Sequence, residues 1–212
     1  MRYLATLSFL MLMFVGAIAQ DKSAAELKNE GNDALKAKDY KTALSLYEQA
    51  IASWEEEEMD AAMVYNTATC ARKIKDYDKA VKYFTQSVEL DYKADISTYY
   101  IASSLDKQDK EDEMVEVLVD GIEKYSTSKY VGHMKKMLAT YYVKQSNALY
   151  TEGQTILNTR TADNNDQWDS IKEKAKVVFD KAADFANKAL EVQPTNANAK
   201  TILAGIETML AS

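Results

Sequence analysis

One histidine, one cysteine and six scattered glycines narrow the chemistry open to this chain. His133 has no second imidazole to work with, which excludes a metal held by paired histidines and a relay between two of them. Cys70 is the only thiol, so no Cys-x-x-Cys motif and no intramolecular disulfide can exist, even in an oxidising compartment. Set between Ala68 and Ala71, it reads as a small apolar side chain on a helix. Gly16, Gly31, Gly121, Gly132, Gly153 and Gly205 never gather into a loop that would cradle phosphate. Carboxylates abound, but no two are set apart for acid–base work. The densest cluster, Glu55 to Glu58, reads as a solvated loop or helix end, because no loop signature brings further oxygens to it. The expectation is a noncatalytic chain with no cofactor and no metal.

The elements that position the remaining polar groups follow from composition and period. The chain is 47% hydrophobic and 28% charged, enough for a sizeable core, while a single proline and six glycines leave too little material for the turns of a sheet protein. An all-α fold is expected. Leu27, Gly31, Ala34, Tyr40, Ala43, Tyr47 and Ala50 recur in kind as Val64, Ala68, Ala71, Tyr77, Ala80, Phe84 and Ser87. They recur more loosely as Thr98, Ala102, Leu105, Glu111, Met114, Leu118 and Gly121. A period in the mid-thirties means stacked helical hairpins. Small residues let neighbouring helices approach, and Tyr40 and Tyr47 fill the wedge between hairpins.

This pattern resembles the tetratricopeptide repeat. The resemblance implies a right-handed α-solenoid of about four hairpins, forming a single domain over residues 20–212, with regular repeats at 24–57, 61–94 and 95–128. Helices are expected over Ala24 to Lys36, Tyr40 to Trp54, Ala61 to Lys73 and Tyr77 to Leu90. Asp39 and Asp76, each before an aromatic, are placed to cap the second helix of their hairpins. In the third unit Lys110 and Glu111 replace that pair, and Asp109 is the candidate cap.

The fourth unit, 129–194, is an extended hairpin. Phe179, Ala182, Ala186 and Ala189 reproduce a second helix ending at Pro194, and Tyr142, Ser146 and Leu149 give the best fit to its partner. The surplus residues lengthen both helices, to about Lys129–Leu157 and Gln167–Val192, with the polar tract Asn158 to Asp166 as the tip. Such a hairpin should project beyond the body. The segment 197–210, with Ile202, Leu203, Ile206 and Leu210 on one side, reads as the capping helix an array needs.

Residues 1–19 differ in kind: Arg2, an apolar run from Leu4 to Ile18, then Ala17-Ile18-Ala19. That order is a secretory signal peptide with cleavage after Ala19, giving a secreted or periplasmic protein with no stable membrane insertion. Cleavage removes one cation and no acid, moving the net charge from −7 to −8. An acidic chain repels phosphate backbones, which excludes nucleic acid as a partner.

The resemblance also implies that the first helices of successive repeats line a concave groove. That face would carry Lys28, Asn32 and Lys36, then Tyr65, Asn66, Thr69 and Lys73, then Ile96, Tyr99, Tyr100 and Ser103. It suits an extended acidic or C-terminal segment of another protein: amides for its backbone, tyrosines for its side chains, lysines for its carboxylates. Tyr65 and Tyr99 at helical spacing fit packing equally well. Lys28, Asn32 and Asn66 match three positions at which one subgroup grips the C-terminus of cytosolic heat-shock chaperones. Ile96 and Tyr100 stand where two basic residues would complete that grip, so the clamp is not expected. The function implied is an adaptor of the cell envelope. The alternatives are an architectural protein that self-associates through the long hairpin, and an accessory subunit binding a glycan or small ligand.

Overall fold

The computed structural model describes residues 22–55 and 58–211, and among these it consists of α-helices joined by short turns. Three hairpins follow one another: α1 (Ala24–Lys36) with α2 (Tyr40–Ala52), α3 (Ala61–Lys73) with α4 (Tyr77–Glu89), and α5 (Ala94–Asp106) with α6 (Glu111–Lys124). A longer pair, α7 (Val131–Leu157) and α8 (Trp168–Val192), is bridged by a 3-10 turn, and α9 (Ala197–Ala211) closes the chain. The signal peptide read at 1–19 lies outside the described residues, as do Glu56 and Glu57 of the acidic cluster; Glu55 and Glu58 are exposed.

Local chemistry sets where the helices begin. Ser23 and Glu26 form a reciprocal capping box at the start of α1, each side chain bonding the other's backbone amide. Asp39 accepts from the Thr42 amide at 3.1 Å and Asp76 from the Lys79 amide at 3.2 Å, so both aspartates open the helices that follow them. Between the helices of each hairpin one residue turns left-handed: Lys38 (φ 62°), Lys75 (φ 66°) and Asp109 (φ 56°). This corrects the reading of the third unit. Asp109 occupies the turn position of Lys38 and Lys75, so the residue in the cap position is Lys110, which makes no side-chain cap bond.

Close approach of the helices rests on the small residues of the repeat. Ala43, Ala50, Ala68, Ala71, Ala80 and Ala102 are all fully buried. A Cβ on Gly31 would fall 2.8 Å from the Tyr47 ring, so the bare backbone of α1 is the floor on which that ring lies. Tyr47, Phe84 and Leu118, one level apart in successive hairpins, fill the centre of the core without exposure. Cys70 is buried among them, and burial pushes its thiol up to about 11.

The fourth hairpin has the long helices expected, but the residues that match the regular repeats differ from those expected. The first helices start at residues 24, 61, 94 and 131, so α7 continues the period from its own beginning. Met134 and Leu138 join Met114 and Leu118 in the main core, and a Cβ on Gly121 would come within 3.0 Å of the Met134 sulfur. The regular part of the unit is therefore the first half of α7, ahead of the Tyr142, Ser146 and Leu149 fit. Tyr142 packs against the main core as well as the extension, and Ser146 and Leu149 belong to the extension, where Ser146 donates to the Ala182 carbonyl at 2.7 Å. Farther out, Phe179 lies on the backbone of Gly153, where a Cβ would be 2.5 Å from its ring. With its 27 residues, α7 is about 40 Å long. The extension does not stand bare, because α9 lies along it: Ile202 and Ile206 pack with Ala175, Phe179 and Ala182, while Met209 and Leu210 join Ile156 and Leu157.

Candidate functional site

The odd-numbered helices share one face, stitched by side chains that cross from each to the next. Lys28 of α1 reaches Asp60 at the start of α3; Arg72 of α3 lies over Tyr100 of α5; Tyr99 of α5 stacks near His133 of α7. Every residue expected to line the groove sits on α1, α3 or α5, but their surroundings differ along the face.

At the α1–α3 end most of the polar groups already have partners. Lys28 Nζ is 3.0 Å from Asp60 Oδ2 and lies 5.4 Å from the Trp54 ring centre. Asp60 is itself the cap of α3, accepting from the Met63 amide at 2.9 Å. Burial pushes its carboxyl up, but the Met63 amide and the Lys28 ammonium outweigh this and leave it below the usual carboxylate range. Asn32 Oδ1 accepts from the Tyr47 hydroxyl at 2.8 Å, and Asn66 adjoins the same hydroxyl. Burial raises that phenol to about 12. Lys36 pairs with Asp33 on its own helix at 3.0 Å, and Lys73 is exposed beside the Tyr40 ring. The three positions resembling the chaperone grip are thus tied into capping and packing.

The middle of the face is aromatic. Tyr65 is half-buried, edge-on to Phe84 and Tyr92 with ring centres 5.7 and 5.9 Å away, and Lys93 Nζ lies 4.3 Å over it. Thr69 bonds back to the Tyr65 carbonyl at 2.9 Å, a helix-internal contact. Tyr100 touches Phe84 on one side and receives the Arg72 guanidinium at 4.1 Å. Ile96 and Ser103 are half-buried on the same helix.

At the far end, between α5 and α7, the face opens into a cleft of about 390 Å³. Tyr99 and Tyr141 stand beside it, Met114 and Met137 supply its apolar lining, and Lys136 and Thr140 mark its exposed side. Two carboxylates reach it, each already answered: Asp106 by Lys107 at 2.9 Å, Glu111 by Lys144 at 2.6 Å and Gln145 at 3.0 Å. Lys136 and His133 form no ion pair among the described residues. Sequence reading placed only Tyr99 here. Arg72 was missed on α3, and Lys136, Met137 and Tyr141 were missed because the fourth unit was registered on Tyr142; extending the helix starts 24, 61 and 94 by one more period of 33 to 37 residues gives 127 to 131 and brings α7 to the groove. Among the described residues no group of three or more His, Cys, Asp or Glu side chains is arranged to hold a metal ion, and no helix is long and apolar enough to cross a membrane.

Residues 28–95 match the family model of the tetratricopeptide repeat. In three dimensions the chain is similar to a tetratricopeptide-repeats protein from Bacteroides fragilis, with a TM-score of 0.58 and 23% identity, over 88% of this chain and 99% of that one. A protein of Bacteroides ovatus superposes with a TM-score of 0.52 at 14% identity, over 89% of this chain and 100% of that one. No curated protein matches the sequence.

Proposed function

Taking as premise that the chain is a tetratricopeptide-repeat protein, we propose that it is a noncatalytic interaction module, exported across a membrane, that holds an extended segment of another protein against the face of its odd-numbered helices. The matching family is a helical repeat and not an enzyme family. One observation carries the reading: on a chain of net charge −7, this face presents tyrosines together with cations that form no ion pair among the described residues, Arg72, Lys73 and Lys136 among them. Aromatic surface with cations at its margin suits a peptide with acidic groups, and association steered by such charges weakens as salt rises.

The test is crosslinked capture from the native host with wild-type protein and with Lys73→Glu combined with Lys136→Glu, both exposed positions without ion pairs among the described residues. Loss of the partner in the double variant, with folding unchanged, supports the reading. Retention of the partner, with loss on changing the hairpin tip at Asn158 instead, contradicts it. Export is tested on the same preparation: its N-terminus should be Gln20 or within a residue or two of it, and a protein still starting at Met1 in the membrane fraction would overturn cleavage.

A further inference from the structure

We infer that the cleft between α5 and α7 sets the specificity of this face, accepting an apolar side chain from an acidic extended segment whose carboxylates meet Lys136 and Arg72. The inference rests on the proposed function and names the chemistry of the partner.

Three features of the cleft converge on that occupant. The apolar part of its lining is soft: Met114, buried, and Met137, half-buried, line it together with Tyr99 and Tyr141, alongside polar side chains such as Lys136 and Thr140. Thioethers adapt to side chains of several shapes, so the cleft selects an apolar residue without demanding one outline. Its volume, about 390 Å³, lies at the low end of ligand sites and suits a single large side chain.

The charge that remains after internal pairing is positive. Asp106 and Glu111 are held by Lys107 and Lys144, while Lys136 is exposed and forms no ion pair among the described residues. Arg72 lies 4.1 Å over the Tyr100 ring with its Nε buried and without a hydrogen-bond partner, and among the described residues it forms no ion pair with a carboxylate. Two cations therefore lie along this face of an acidic molecule, Lys136 at the cleft and Arg72 beyond the Tyr99 and Tyr100 rings, and charge complementarity favours an acidic partner.

The spacing suits an extended chain. From Arg72 the rings of Tyr100, Tyr99 and His133 follow in contact, with successive ring centres 5.5 and 5.7 Å apart. An extended chain advances about 3.3 Å per residue, so a few residues span the run from the guanidinium to the cleft. A sugar would need carboxylates or amides free to bind its hydroxyls. Both carboxylates here are engaged, which favours the peptide.

The experiment is a selection from a random peptide display library on the purified protein, followed by fluorescence anisotropy of an enriched peptide. Enriched sequences are expected to place Asp or Glu beside an aromatic or long aliphatic residue. Lys136→Glu, and Thr140→Trp, which fills the mouth of the cleft, should each weaken binding by at least about tenfold at low salt. Lys174→Glu, the same charge change at an exposed position of α8, should alter it by less than about twofold. Enrichment without acidic residues, or displacement of the peptide by cellohexaose, would overturn the inference. If acidic peptides bind but respond to Lys36→Glu and Lys73→Glu and not to the cleft variants, the subsite is wrong and the proposed function stands. Failure to enrich any peptide would overturn both.

Discussion

Lys28 and Lys136 lie on the same face of one helical array, near its opposite ends. Lys28 is held by Asp60, a carboxylate that also caps the next helix, whereas Lys136 has no carboxylate within ion-pair distance among the described residues. The contrast extends to their neighbours. Asn32 is occupied by the Tyr47 hydroxyl, while the rings beside Lys136 border an open cleft. Residue type alone marks both ends as candidate binding surface. Lys28 and Asn32 are taken up in capping and packing while Lys136 is left for a ligand, so change at the first pair should cost stability and change at Lys136 should cost binding.

The largest effect is expected from Tyr47→Ala, which removes a fully buried ring from its seat on Gly31. Cavity formation should destabilise the chain by about 3–5 kcal/mol in denaturant unfolding; a loss below about 1 kcal/mol would mean the α1–α3 end is not the packed region described. Asp60→Ala should come next. It deletes the cap of α3 and leaves Lys28 without its carboxylate, for a loss of about 1–2 kcal/mol, read as a drop in melting temperature with no change in affinity for a cleft-bound peptide. A drop in affinity instead would erase the distinction between the ends.

Alkaline titration sharpens the comparison further. Burial raises the Tyr47 phenol to about 12, while in the unfolded chain it ionises near 10.0. The folded state thus favours the neutral form, and its contribution is complete below pH 10 and lost as pH rises from 10 to 12. Tyr83, also raised to about 12 by burial beside Glu48, adds to the same loss. Tyr47→Phe should flatten the fall in stability over this window, and an unchanged slope would contradict the burial of that hydroxyl. The smallest effect belongs to Lys136→Glu, whose stability should stay within about 0.5 kcal/mol of wild type.

Much of the fold was legible because the repeat writes its own punctuation. Asp39 and Asp76 announce the helices they cap, and Gly31, Ala43 and Ala80 mark where helices touch. The third unit misled because capping was assigned by residue type: Asp109 is an acid next to a helix start, but its backbone is the left-handed turn. The fourth misled because small residues recur in the extension, where Ser146 meets Ala182, and drew the register away from Met134. At the site, the sequence named the face and could not show which groups on it already had partners. Pairings such as Lys28 with Asp60 and Arg72 with Tyr100 join residues far apart in the chain, and they depend on how one hairpin stacks on the next.

Photo-crosslinking in the native host tests most directly whether this face holds the partner. p-Benzoylphenylalanine would be placed at Thr140, beside the cleft, and separately at Val177, a half-exposed position on α8. The account predicts a discrete adduct from position 140, abolished by adding Lys136→Glu, and none from position 177. An adduct from 177 with none from 140 would contradict it and move the contact surface to the long hairpin.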